Sequence, residues 1–156
     1  MRLLLCQSER QDEMTDNNDA RDEKLDFWIK HGMNVILIGK PGDGKTGLVK
    51  SAFNRNSLNW RYFSACTDHL GSRYLDLVVP GAFADDSIEA IFFDDFDRAP
   101  KEVRNVVMEL VQFGSIHCKP FPNLRIVWAA INPQVEGVER LNPALIDRFH
   151  VHVEMS

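Results

Sequence analysis

The sequence predicts a three-layer α/β domain, a mostly parallel five-stranded sheet flanked by helices. Three observations carry that prediction. Short, continuous apolar runs recur at Val35 to Ile38, Ile91 to Phe93 and Ile126 to Trp128, as in strands covered on both faces. Between them, apolar residues fall at helical spacing. A glycine-rich turn separates the first run from the helix pattern that follows it.

Gln7 to Asp22 is polar and acidic, too poor in apolar groups to offset ordering entropy, so residues 1–22 are expected to form a disordered arm. The core domain is expected over 23–156. Leu25, Trp28 and Ile29 mark a short amphipathic helix that stops near Gly32. Val35 to Ile38 is the first strand. Leu48, Val49, Ala52 and Phe53 share one face of the next helix, and Trp60 to Ser64 reads as a second strand. Residues 65–89 show no clear pattern. Ile91 to Phe93 is a buried strand ending in Asp94-Asp95-Phe96-Asp97. Pro100 opens a helix, where its missing N–H costs nothing, and Val103, Val106, Val107 and Leu110 form the apolar stripe. Gln112 to Asn123 has room for at most a short hairpin. Arg125 to Ala130 is a strand, Pro143 to Arg148 a helical turn, and Val151 to Glu154 a last strand.

Composition narrows the function classes. A chain of 156 residues with 44% hydrophobic and 26% charged residues has the make-up of one soluble globular domain. A net charge of -5 gives no indication of nucleic acid as a partner, since phosphate backbones are met by clustered Lys and Arg. The 3 cysteines, Cys6, Cys66 and Cys118, do not form a secreted disulfide framework. Leu3 to Leu5 is too short for a signal sequence, and no stretch reaches the roughly 20 apolar residues of a membrane span. The expected location is the cytoplasm, with no membrane partner. His150 and His152 lack a nearby third ligand and read as exposed strand positions rather than zinc ligands.

Gly39-Lys40-Pro41-Gly42-Asp43-Gly44-Lys45-Thr46 matches G-x-x-x-x-G-K-[ST], a loop that cradles phosphates. Its glycines let successive N–H groups turn inward, and the following helix, which begins through Gly47, aims its positive end at the same point. Lys45 can reach the β- and γ-phosphates, and the Thr46 hydroxyl can ligate magnesium. The implied ligands are ATP, or ADP after turnover, with Mg2+. Asp94 closes a hydrophobic strand downstream, where an acid holds magnesium in such enzymes, and Asp95 beside it can activate the attacking water. Asp97 reads as a solvated acid capping the next helix. A metal site of Asp94, Asp95 and Asp97 without nucleotide is the rival reading, and the phosphate loop makes it superfluous.

The chain resembles the AAA+ ATPases, a P-loop NTPase family, and within them the MoxR-like and dynein-related branch. The resemblance runs from about Asn34 to Glu154 in four blocks: GKPGDGKT at 39–46, IFFDDFDRAPKEVRNVVMEL at 91–110, IVWAAINP at 126–133 and EGVERLNPALIDRF at 136–149. The first two look like Walker A and Walker B. By resemblance, Asn132 is the sensor-1 residue near the γ-phosphate and the attacking water. Arg148 is by resemblance the arginine finger that reaches a neighbour's nucleotide, which implies a homo-oligomer, by family expectation a hexameric ring.

Two departures stand against the family pattern. Asp95 takes the place of the usual Glu, one methylene shorter. The helical lid that follows the last strand in the family is missing from this chain, so a fragment, a partner carrying the lid or a reduced core is expected. The resemblance implies Mg-dependent ATP hydrolysis coupled to remodelling of a client protein. The alternative is a nucleotide-binding module with little turnover. A P-loop kinase would leave the Asn132 and Arg148 blocks unexplained.

Overall fold

The computed structural model describes residues 17–40, 42–64, 87–116, 119–132 and 143–155. In chain order the elements are helix α1 (17–30), β1 (Val35–Ile38), α2 (Lys45–Arg55), β2 (Trp60–Ser64), β3 (Ala90–Asp94), a 3-10 turn (Phe96–Arg98), α3 (Lys101–Phe113), β4 (Ser115–Ile116), β5 (Lys119–Pro120), β6 (Ile126–Ile131), α4 (Pro143–Ile146) and β7 (Val151–Glu154). Five strands form one sheet in the order β2-β3-β6-β1-β7, every neighbouring pair parallel. The predicted fold class holds.

Period-two alternation along the central strands builds the three layers. Ile36 of β1, Ile91 and Phe93 of β3, and Val127, Ala129 and Ile131 of β6 point to one face, where Val103, Val106, Val107 and Leu110 of α3 cover them. Val35 and Leu37, Ala90 and Phe92, and Ile126, Trp128 and Ala130 point to the other. There they meet Leu25 and Ile29 of α1 and Val49, Ala52 and Phe53 of α2. Strands β3 and β6 are buried along their whole length, whereas the edge strand β7 alternates between half-buried and exposed residues. Trp128 is fully buried between the helices and the sheet, with its indole N–H donated to the Met33 carbonyl at 3.0 Å. The α3 helix ends on Gly114 in the left-handed region, and its chain turns into the short antiparallel hairpin β4-β5, as the sequence allowed.

Two expectations are corrected here. The arm was expected to reach Asp22, but residues 17–22 belong to α1. Local composition missed a long-range anchor: the Arg55 guanidinium of α2 binds Asp26 at 2.7 Å and Asp22 at 3.5 Å, pinning the acidic face of the helix. Residues 1–16 lie outside the described residues, as does most of the unpatterned stretch 65–89. Pro100 stands at the N-cap of α3, one residue earlier than the first-turn position expected for it.

Candidate functional site

In a parallel sheet, ligands collect in the crevice at the carboxyl ends of the strands, and there the loop after β1 sits. The Gly39 N–H donates to the Ile131 carbonyl at 3.1 Å, so the loop leaves the sheet beside the end of β6. The loop then closes on itself: the Lys40 N–H donates to Asp43 Oδ2 at 2.8 Å, and the Asp43 N–H to the Lys40 carbonyl at 3.2 Å. Gly42 and Gly44 have φ of 86° and 80°, a region that residues with a Cβ enter at a cost. Gly39 is required by space, because a Cβ there would lie 2.8 Å from both Asp43 Oδ2 and Met155 Cβ.

The α2 helix starts at Lys45 with neither a side-chain cap nor an acid in its first turn, so its positive end faces the loop uncompensated. Lys45 Nζ lies across the loop, donating to the Gly39 and Lys40 carbonyls at 2.7 and 2.8 Å. Gly47 lies exposed in the first turn of α2. Pro41 lies outside the described residues.

Strand β3 delivers Asp94 under this loop, 8% exposed. Its Oδ2 accepts the Thr46 hydroxyl at 2.6 Å and the Tyr62 hydroxyl at 2.9 Å, while its Oδ1 accepts the Asp95 N–H at 3.0 Å. A hydroxyl and a carboxylate in contact are the hard oxygen donors that magnesium takes, so this pair fits the ion expected from the sequence. Burial, then the neighbouring Asp94, pushes the Tyr62 phenol up to about 12.

Asp95 follows in the left-handed region, φ 49° and ψ 38°, a conformation that Asp tolerates better than most side chains. Burial raises its carboxyl above the ordinary carboxylate range and the Asp94 charge adds to this, while Arg98 and Lys45 pull the other way. A carboxyl so raised holds its proton more readily, which suits a group that must take one from water.

Asp97 is not the solvated helix cap expected from sequence. It is 5% exposed, and α3 has no side-chain cap. Its Oδ1 instead accepts the Asn132 N–H at 3.2 Å, its carbonyl accepts the Arg104 guanidinium at 2.9 Å, and its Oδ2 has no hydrogen-bond partner among the described residues. Asp97 thereby ties the acidic turn to the end of β6.

The structure thus gathers Gly39, Lys40, Gly42 to Thr46, Asp94, Asp95 and Asn132 at the carboxyl ends of the central strands. Asn132 comes directly after Ile131, whose register partner is Ile38, so it flanks the start of the loop. Arg148 is not brought there. It precedes β7, whose first residue Val151 pairs with Val35 at the opposite end of β1. Its Nε is buried without a hydrogen-bond partner among the described residues.

Two features escaped the sequence. Tyr62 reaches Asp94 only through the β2-β3 register, which no local pattern reveals. A cleft of about 450 Å³ opens beside the loop, walled by Arg21, Lys24, Trp28, Asp43, Leu48 and Met155. Half of those residues come from α1, which composition had partly assigned to the arm. His150 Nδ1 accepts the Asn34 N–H at 2.8 Å, and His152 Nε2 lies 2.9 Å from the Ile146 carbonyl. Among the described residues no helix is long and apolar enough to cross a membrane.

Several solved structures share this architecture. The RuvB Holliday junction branch migration motor of Thermotoga maritima is 21% identical, with a TM-score of 0.61 over 90% of this chain and 45% of that one. A Cytophaga hutchinsonii protein, provisionally assigned as an ATPase, is 22% identical, with a TM-score of 0.65 over 89% and 46%. NtrX of Brucella abortus, solved in complex with ADP, is 14% identical, with a TM-score of 0.64 over 99% and 42%. The chain therefore spans under half the length of each. No curated protein sequence matches it significantly. Residues 35–156 match the family described as ATPases associated with various cellular activities. With that match over most of its length, and the glycine-rich loop and acidic strand end together at the carboxyl ends of its central strands, the chain belongs to the AAA family of ATPases.

Proposed function

We propose that this chain binds ATP with magnesium and hydrolyses it as a MoxR-like AAA+ core, working on a partner protein in the cytoplasm. The observation that carries this is the 2.6 Å contact between Thr46 of the phosphate loop and Asp94 of β3. It places two oxygen donors side by side at the positive end of α2. On this reading the loop amides and Lys45 hold the β- and γ-phosphates, and Thr46 and Asp94 hold the metal. Magnesium, when bound, neutralises phosphate charge and orients the terminal phosphate. Lys45 exchanges the loop carbonyls for phosphate oxygens. The cleft walled by Trp28 and Met155 gives the nucleoside room. Asp95 takes the proton of the attacking water, and Asn132 positions that water.

Arg148 lies at the far end of the strands from its own loop, which suits a residue that completes a neighbour's site in a ring of identical subunits. A partner that carries a lid would close the same site from outside. A second reading, nucleotide binding with little turnover, is favoured by Asp95 itself. Its side chain is a methylene shorter than the family's Glu, and placement errors near 1 Å cost about a hundredfold in rate.

The test is ATPase rate against protein concentration for the wild type, Lys45→Ala and Arg148→Ala. The proposal expects a rate per subunit that rises with concentration, and inactive single variants that regain activity when mixed. Wild-type rates in Arg148→Ala at every concentration would remove the finger. Binding without turnover at any concentration would establish the second reading.

A further inference from the structure

The phosphate loop and the acidic strand end leave one polar contact unused, the Tyr62 hydroxyl. Tyr62 lies on β2 opposite Phe92, so by strand alternation it shares a face with Phe92 and, one step diagonally, with Asp94. Its ring packs on Phe92 at 5.9 Å between centroids, and Lys50 Nζ of α2 stands 4.7 Å from its centroid on the ring face. The ring is thus held from two elements, and its hydroxyl ends 2.9 Å from Asp94 Oδ2. A phenol is protonated at neutral pH and a buried carboxylate accepts only, so Tyr62 donates.

We propose that Tyr62 is a positioning residue for the metal, fixing Asp94 in the orientation from which it holds magnesium. The proposal rests on the reading of Thr46 and Asp94 as the metal site. A carboxylate offers about four acceptor positions. Thr46 and Tyr62 both take Oδ2, and the Asp95 N–H takes one position on Oδ1. Two donors on one oxygen stop the carboxylate from rotating and leave the remaining Oδ1 position as the one presented to the ion or its waters. Without Tyr62, the Thr46 hydroxyl is the one restraint left on Oδ2 among the described residues, and that hydroxyl would at the same time give a lone pair to the metal. Partners that orient metal ligands in this way are worth about 10- to 100-fold in metal affinity.

The test uses the full chain and a fluorescent ADP analogue, titrated with and without magnesium chloride, for wild type, Tyr62→Phe and Asp94→Asn. Tyr62→Phe keeps the ring and its packing and removes only the hydroxyl. The expected result is a magnesium half-saturation raised about 10-fold, with metal-free nucleotide affinity at the wild-type value. If Tyr62→Phe has the wild-type magnesium dependence while Asp94→Asn shifts it, Tyr62 is a packing residue and the proposal falls alone. If Asp94→Asn leaves magnesium dependence unchanged, the metal site itself is misread and both fall. An equal loss of affinity with and without magnesium in Tyr62→Phe places its effect on the loop, which also overturns the proposal. Thermal unfolding of each variant, with and without magnesium, separates loss of fold from loss of metal. Magnesium stabilises the wild-type nucleotide complex, and at a fixed magnesium concentration Tyr62→Phe gains a smaller increment over its own unliganded midpoint.

Discussion

Gly39→Ala tests the tightest point of the phosphate loop. The new methyl would sit 2.8 Å from Asp43 Oδ2, 2.8 Å from Met155 Cβ and 3.3 Å from Met155 Cγ. Neither neighbour gives way freely. Asp43 is held by the Lys40 N–H at 2.8 Å, and the Met155 backbone by the Ile38 carbonyl at 2.8 Å. Overpacking of this kind costs about 1–3 kcal/mol. At this chain length each kcal/mol moves the unfolding midpoint by about 2–4 °C, so a fall of about 2–12 °C is expected.

The assay is thermal unfolding by circular dichroism, run beside titration with the fluorescent ADP analogue. The double variant Gly39→Ala with Asp43→Ala sharpens it. Removing the carboxylate removes one of the two clashes, so the double variant recovers part of the loss and the two effects are non-additive. Strict additivity would mean the methyl does not meet Asp43. Wild-type midpoint and wild-type nucleotide affinity in Gly39→Ala would refute the close approach altogether.

Asp95→Asn separates stability from turnover. Burial and Asp94 raise the Asp95 carboxyl, so its protonated form is favoured in the fold. That contribution is complete below the ordinary carboxylate range and lost as pH rises through the raised value. At neutral pH, Asp95→Asn is therefore expected to unfold at a higher temperature than wild type, the gap closing as pH falls through the carboxylate range, and to abolish hydrolysis while keeping nucleotide affinity. Trp128→Ala empties the largest fully buried side chain and strips the Met33 carbonyl of its donor. A loss of about 3–5 kcal/mol by denaturant unfolding is expected.

How far the sequence led can be followed through particular residues. Val35 to Ile38, Trp60 to Ser64 and Val151 to Glu154 are strands at the predicted bounds. Each is a short run rich in the β-branched or aromatic residues that strands favour, and in β1 burial reinforces the local preference. The glycine-rich loop between β1 and α2 was legible because its fixed positions form a local motif that needs no distant partner. The N-terminal part of α1 was not, because Asp22 and Asp26 look like solvated acids until Arg55 is placed opposite them. Tyr62 and Asp97 act through partners 32 and 35 residues away, on or just beyond strands aligned by parallel register. Register follows from packing of the whole sheet, so neither contact has a local signature.

The α1 helix carries a consequence for how the site can be probed. Asn17 of α1 stands on the wall of the cleft beside the phosphate loop, together with Arg21 and Lys24 one and two turns further on. The same helix is clamped to α2 through Asp26 and Arg55, and α2 begins with the lysine and threonine of the loop. A dye or crosslinker placed at Asn17 therefore stands on the wall of that cleft, on a helix tied by an ion pair to the one that begins at the loop.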